Sequence, residues 1–348
     1  MRSVRSFSVV DCHSAGAAAR VVVAGAPRVA GSTIAAQRLA LRRDHDDLRK
    51  LLMYEPRGHA TMSGSLLLPP CDPRADVGIV FIETGGWLTM CGAGTIGAAT
   101  AVVETGMVPV VEPITTVTFD SPAGLVVAQV AVSDGAVQGV TIENVPSFLY
   151  ARDVEIEVPG HGTVSVDVAY GGNFYAIVPA SVFGLAVVPE HADRLAEVGR
   201  LVRDAANAAI EARHPERGEP EEIPDVLITD DAFGSADAHR VLVFFGEAGI
   251  DRSPGGTGTS ARMAQRHARG QQQLGEDYVQ ESIIGTRFTG RLTRTLDLAG
   301  TTAVVPTITG RAFITATTTF HLDPDDPYPR GFGVGYAADA HRRAVVAR

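Results

Sequence analysis

Cys91 stands before Gly92-Ala93-Gly94-Thr95, and 164 residues later Gly255 stands before Gly256-Thr257-Gly258-Thr259. Each run opens a stretch that reads as a small-residue helix. The first N–H groups of a helix have no partner inside it and lie at the positive end of its dipole. Glycines let a small anion approach those groups closely. Two such turns facing one cleft could hold a carboxylate or a phosphate between them. A thiol at a helix start has its thiolate favoured, so Cys91 reads as a base or nucleophile. It also fits a buried small hydrophobe beneath a strand. Neither run continues into the Gly-Lys-Ser/Thr of a phosphate loop, and no regular strand–helix–strand succession surrounds the G-x-G-x-x-G string at 92–97.

Other polar residues punctuate the chain near these turns. Asp251 and Arg252 precede the second turn. Asp251 could hold a substrate amine with Arg252 as counter-charge, or the two could form an exposed ion pair. His59, in the run Glu55-Pro56-Arg57-Gly58-His59, reads equally as scaffold or as acid/base. Asn173, in Gly171-Gly172-Asn173-Phe174-Tyr175, suits either close approach to a ligand or a tight turn.

The elements that must position these groups follow from periodicity. SFSVVDCH and ARVVVAGAP read as strands, and residues 32–53 as one helix or a broken pair. GSLLLPP, DVGIVFIE and WLTM follow as strands, and a helix should open at or just after Cys91. Residues 115–145 alternate like hairpins turning at Ser-Pro-Ala-Gly and Asp134-Gly135. A second set repeats the order: strands over 140–180, a helix at 190–213, an acidic, Pro-rich surface loop at 215–225, the strand RVLVFFG and the second glycine-rich turn. This repetition predicts two domains of similar build across a cleft, 1–135 with 325–348 and 136–324.

Composition narrows the partners. The 348 residues are 45% hydrophobic and 20% charged with a formal charge of −10 and no basic stripe, which disfavours nucleic acid and anionic membranes. Apolar runs are too short to span a bilayer, and the N-terminal stretch lacks the apolar run of a secretion signal. Three cysteines, Cys12, Cys71 and Cys91, show no close pair spacing, so reduced thiols in a cytoplasmic protein are expected.

Across nearly its whole length the chain resembles the proline racemase family, which includes hydroxyproline 2-epimerases and trans-3-hydroxyproline dehydratases. The resemblance rests on D-x-H-S-x-G at 11–16, EPRGH at 55–59, MCGAGTIG at 90–97, GGNFYA at 171–176, DRSPGGTGTSA at 251–261, ESIIGTRFTG at 281–290 and the LDPDDPYPRGF end. It implies an α/β, diaminopimelate-epimerase-like fold of two pseudo-symmetric domains, each wrapping strands around a central helix. It also implies a site between them, no cofactor, no metal, a small imino-acid substrate and a homodimer. The first cysteine of the family's racemases and epimerases carries over to Cys91. The second falls on Gly255, which has no side chain. Asp251 matches the aspartate that contacts the imino nitrogen. Further departures are Ala93 for the usual histidine, Ala17-Ala18 for Glu-Pro, and Thr61 for an aspartate.

Inverting a stereocentre calls for a proton-transfer group on each face, whereas eliminating water after α-proton loss needs one base. The missing second thiol therefore points to a dehydratase of trans-3-hydroxy-L-proline or a similar 3-hydroxy imino acid, with Cys91 as base. Amides from Gly92, Ala93, Gly94 and Thr95 and from Gly256, Thr257, Gly258 and Thr259 would hold the carboxylate. The alternatives are a racemase or 2-epimerase with a second acid other than cysteine, and a non-catalytic imino-acid-binding relative.

Overall fold

The computed structural model describes residues 3–231, 237–246 and 249–333. Five α-helices, two short 3-10 turns, an 18-stranded sheet and a separate two-stranded sheet make up the described residues. Helix α1 (Ile34–Asp44) is capped by Thr33, whose Oγ1 accepts the Ala36 N–H at 3.1 Å. It breaks at His45, and α2 (Asp46–Met53) follows with Asp46 and Asp47 in its first turn, where the helix dipole favours them. The broken-pair reading of 32–53 thus holds.

The sheet winds around two buried helices. α3 (Gly92–Glu104) is enclosed from Gly92 through Val103. Its glycines, alanines and threonines leave room for strands Arg5–Ser14, Ala17–Ala24, Gly124–Ser133, Ala136–Glu143 and Ala312–Leu322 to close around it. Burying each larger member, such as Ile96 or Val102, contributes about 2 kcal/mol. α4 (Ala192–Ala209) turns Leu195, Val198, Val202 and Ala206 onto strands Phe148–Val158 and Asp225–Asp230. α5 (Gly256–Ala268) is embraced by Phe148–Val158, Gly162–Tyr170, Arg287–Leu298 and Thr301–Gly310. α3 and α5 are both 13 residues long, and each residue of α5 follows its α3 counterpart by 164 positions.

Strand pairing cuts across the boundaries expected from sequence. Ala136–Glu143 continues the hairpin from Gly124–Ser133 and packs on α3. Ala312–Leu322 runs antiparallel to Arg5–Ser14 along its length. Both lie inside the expected 136–324 span, yet both cover α3. Of the expected 325–348 return, 334–348 lie outside the described residues. The 215–225 stretch is also less solvated than its composition suggests. Ile223 is fully buried, and Asp225 opens the buried strand Asp225–Asp230.

Candidate active site

The two glycine-rich turns meet. A Cβ built on Gly92 would lie 2.6 Å from the Gly256 Cα, and one on Gly256 would lie 2.7 Å from the Gly92 Cα. Only glycine at both positions permits this approach of backbone to backbone. The N-termini of α3 and α5 thereby point at one cavity of about 370 Å³. Cys91 caps α3, its Sγ accepting the Gly94 N–H at 3.3 Å, and Gly255 caps α5 with φ +78°.

The two caps share a lock. Thr95 Oγ1 and the Thr95 N–H both donate to the Cys91 carbonyl at 2.8 Å. Thr259 does the same to the Gly255 carbonyl, at 2.7 Å through Oγ1 and 2.8 Å through N–H. Thr95 and Thr259, expected to present amides to a carboxylate, therefore spend them on their own helices and stand outside the cavity lining, as does Gly258. The Gly94 amide serves the Cys91 sulfur. The amides left for an anion are those of Gly92, Ala93, Gly256 and Thr257, all in the lining.

Cys91, Asp251, Gly255, His59 and Asn173 also line the cavity. Asn173 is committed to scaffold: its Nδ2 donates to the Met90 carbonyl at 2.8 Å and its Oδ1 accepts from Thr89 Oγ1 at 2.8 Å. It thus ties the strand end carrying Cys91 to the segment before strand Phe174–Pro179. His59 keeps one side open to solvent, and partial burial of its ring, with Arg20 and Arg252 nearby, lowers its pKa. Asp251 and Arg252 do not pair. Asp251 accepts from the Ser253 N–H at 2.7 Å and Ser253 Oγ at 2.9 Å, while Arg252 Nη1 donates to the Ile250 carbonyl.

Two cavity carboxyls were not singled out from sequence. Glu83 ends the apolar strand Val77–Glu83, and Asp225 lies in register with Tyr175 on the neighbouring parallel strand. Both are buried, and Asp225 Oδ1 has no hydrogen-bond partner among the described residues. Burial, with Asp251 nearby, pushes Asp225 up to about 7. Burial likewise raises Asp251 to about 6 against the pull of the Ser253 bonds, and burial and Asp225 hold Glu83 well above the ordinary carboxylate range.

Burial, helped by these carboxyls, reverses the expectation for the thiol. Burial raises Cys91 to about 12; the Gly94 N–H pulls the other way, but Asp251, Glu83 and Asp225 add to the rise. The resting group is a thiol, a proton donor. Cys12, buried and bonded to the Ala19 carbonyl, is also raised to about 12, mainly by burial. Among the described residues no cluster of His, Cys, Asp or Glu has metal-holding geometry, and no helix is long and apolar enough to cross a membrane.

Paired helix starts, one capped by a thiol, are thus built from MCGAGTIG and DRSPGGTGTSA. Residues 9–333 match the family described as proline racemase. The chain belongs to the proline racemase family. It is 50% identical over 333 residues to a 4-hydroxyproline 2-epimerase of Streptosporangium roseum, covering 95% of this chain and 99% of that one. A proline racemase of Clostridioides difficile is 44% identical over 332 residues, with 95% and 99% covered. The crystal structure of a hydroxyproline epimerase from Agrobacterium vitis, with bound trans-4-hydroxy-L-proline, superposes with a TM-score of 0.92. It is 36% identical, and 98% of this chain and 100% of that one are covered. The α/β architecture is that of this family, and membership makes the chain an enzyme of the isomerase type.

Proposed function

We propose that this member of the proline racemase family is a cofactor-independent isomerase that inverts the α-carbon of a proline-like imino acid, with 4-hydroxyproline the first candidate. The observation that carries the reading is the junction at Gly92 and Gly256, where free amides from two helix starts converge beside the Cys91 thiol. Inversion passes through an α-carbanion whose charge spreads into the substrate carboxylate. N–H groups fixed around that carboxylate stabilise the charge as it develops, without reorganising. The extent of the likeness to a 4-hydroxyproline 2-epimerase and a proline racemase, end to end, supports inversion over the elimination expected from the missing second thiol.

Elimination remains the second reading because Gly255 offers no side chain above the second helix. One experiment separates the two. Protein dialysed against chelator is incubated with L-proline, trans-4-hydroxy-L-proline and trans-3-hydroxy-L-proline, and products are resolved by chiral chromatography and imine trapping. A D-isomer or 2-epimer from the first two substrates is the expected result. Imine from the third alone would establish the dehydratase instead.

A further inference from the structure

We propose that Asp251 supplies the second proton-transfer group, acting on the face of the substrate opposite Cys91, where residue 255 lacks a side chain. The assignment rests on the isomerase reading above. Since Gly92 and Gly256 touch, the residues before them, Cys91 and Gly255, flank a single amide cradle. A Cβ at residue 255 would lie 3.7 Å from Asp251 Oδ2, an ionisable group within van der Waals reach of that point. The same Cβ would meet Val243 Cγ2 at 2.8 Å, and the backbone there has φ +78°. The loop is therefore shaped for glycine and leaves a carboxyl next to the empty position.

That carboxyl is fixed in place. Ser253 donates to both of its oxygens, and Ser253 Oγ in turn accepts the Gly255 N–H at 3.1 Å, which ties Asp251 to the cap of α5. A carboxylate has further lone pairs beyond these two bonds to turn on a substrate. The substrate nitrogen, which the family resemblance assigns to Asp251, has another acceptor: Asp225 faces the same cavity with Oδ1 unpartnered and buried. The charged or titratable groups that share the cavity with Asp251 are Asp225, Glu83, Tyr175, Cys91, Arg252, Cys12, His13 and His59, and Arg252 donates to the Ile250 carbonyl instead of to Asp251.

The proton movements balance. With Cys91 resting as a thiol and Asp251 as a carboxylate, Asp251 takes the α-proton and the C–H electron pair passes to the α-carbon and its carboxylate. The Cys91 S–H proton then adds to the opposite face, leaving a Cys91 thiolate and an Asp251 carboxylic acid. Turnover of the product isomer in reverse, or exchange with solvent, restores the resting pair. No oxidant, reductant or metal enters the sequence.

The test follows trans-4-hydroxy-L-proline and its 2-epimer separately in D2O by proton NMR and chiral chromatography. In Asp251→Asn inversion should fall at least 1000-fold with KM within threefold of native. One isomer should keep slow α-exchange with retention and the other should lose it. Cys91→Ala should show the complementary pattern, exchange surviving only in the other isomer, an outcome that a merely structural role for Asp251 would not produce. Asp225→Asn should raise KM about tenfold while inversion persists. Thermal melting of each variant confirms folding, and Asp251→Glu, which keeps the acid, should retain part of the inversion. Asp251→Asn that still inverts, or a single-face defect that appears in Asp225→Asn instead, overturns the assignment while the isomerase reading stands. Native enzyme that inverts neither isomer overturns both.

Discussion

Gly92 and Gly256 are in backbone contact, with 2.6 Å between a Cβ built on the first and the Cα of the second. No side chain separates the starts of α3 and α5, so the spacing of their amides is set by this contact alone. Gly92→Ala should force the helix starts apart, cost about 1–3 kcal/mol of stability and lower kcat/KM by roughly 100-fold or more. Steady-state kinetics beside a thermal melt checks it. A variant with near-native kcat/KM would mean the amides do not act together.

The thiols should react in an order that the helix-start argument alone would not give. Cys71 and Cys91 are both partly covered, and burial with Asp120 nearby raises the Cys71 thiol too, but burial pushes Cys91 and Cys12 up to about 12. At pH 8 iodoacetamide should label Cys71 first, at least about 10-fold faster than Cys91, because the thiolate is the reactive species. Cys91 labelling should accelerate as pH rises past 9. Peptide mass mapping over a pH series reads this, and fast labelling of Cys91 at pH 7 would refute it.

Stability should fall as pH rises through neutrality. Asp225 and Asp251 have folded pKa values raised to about 7 and about 6 by burial, so between pH 4 and 7 the folded state holds protons that the unfolded chain has released. Their contribution is full below the unfolded carboxylate range and is lost as pH passes the folded values. Asp225→Asn should remove its share of that slope and stabilise the protein at pH 8 relative to pH 5 by on the order of 1–3 kcal/mol. Chemical denaturation at the two pH values measures it, and parallel profiles for native and variant would contradict it.

Installing a second thiol should not succeed by a single change. Gly255→Cys places a Cβ at φ +78° and 2.8 Å from Val243 Cγ2, a strain of about 1–3 kcal/mol. Activity should fall in the single variant and recover in part when Val243→Ala makes room. Comparing kcat for the single and double variants decides it. Full activity in Gly255→Cys alone would show that the loop relaxes freely.

Much of this site was legible before the structure. The matched turns, the cap position of Cys91 and the break in residues 32–53 are local features, written in glycine placement and apolar period. The roles of Thr95 and Thr259 could have been found by counting, since the fourth residue after a cap closes the first helical hydrogen bond. Glu83 and Asp225 were out of reach for another reason. Each ends or begins a strand, and what buries them together is the pairing of distant segments, Tyr175 with Asp225 among them. The same distance effect inverted the charge state of Cys91. A helix start favours a thiolate, but burial outweighs it, and carboxyls arriving from three separate segments add to the rise. Composition also misled at 215–225, where a run of acidic residues concealed one that turns inward.

The repeated threonine lock has a consequence for what each cap must carry. Thr259 grips the carbonyl of residue 255, just as Thr95 grips that of Cys91. The lock grips the cap residue through its carbonyl and so does not itself call for a thiol there. A helix start can therefore lack a reagent at its cap and still keep its first turn in place. The atoms that hold the helix start and the atom that would move a proton are thus different ones, and the first set is complete at residue 255 without the second.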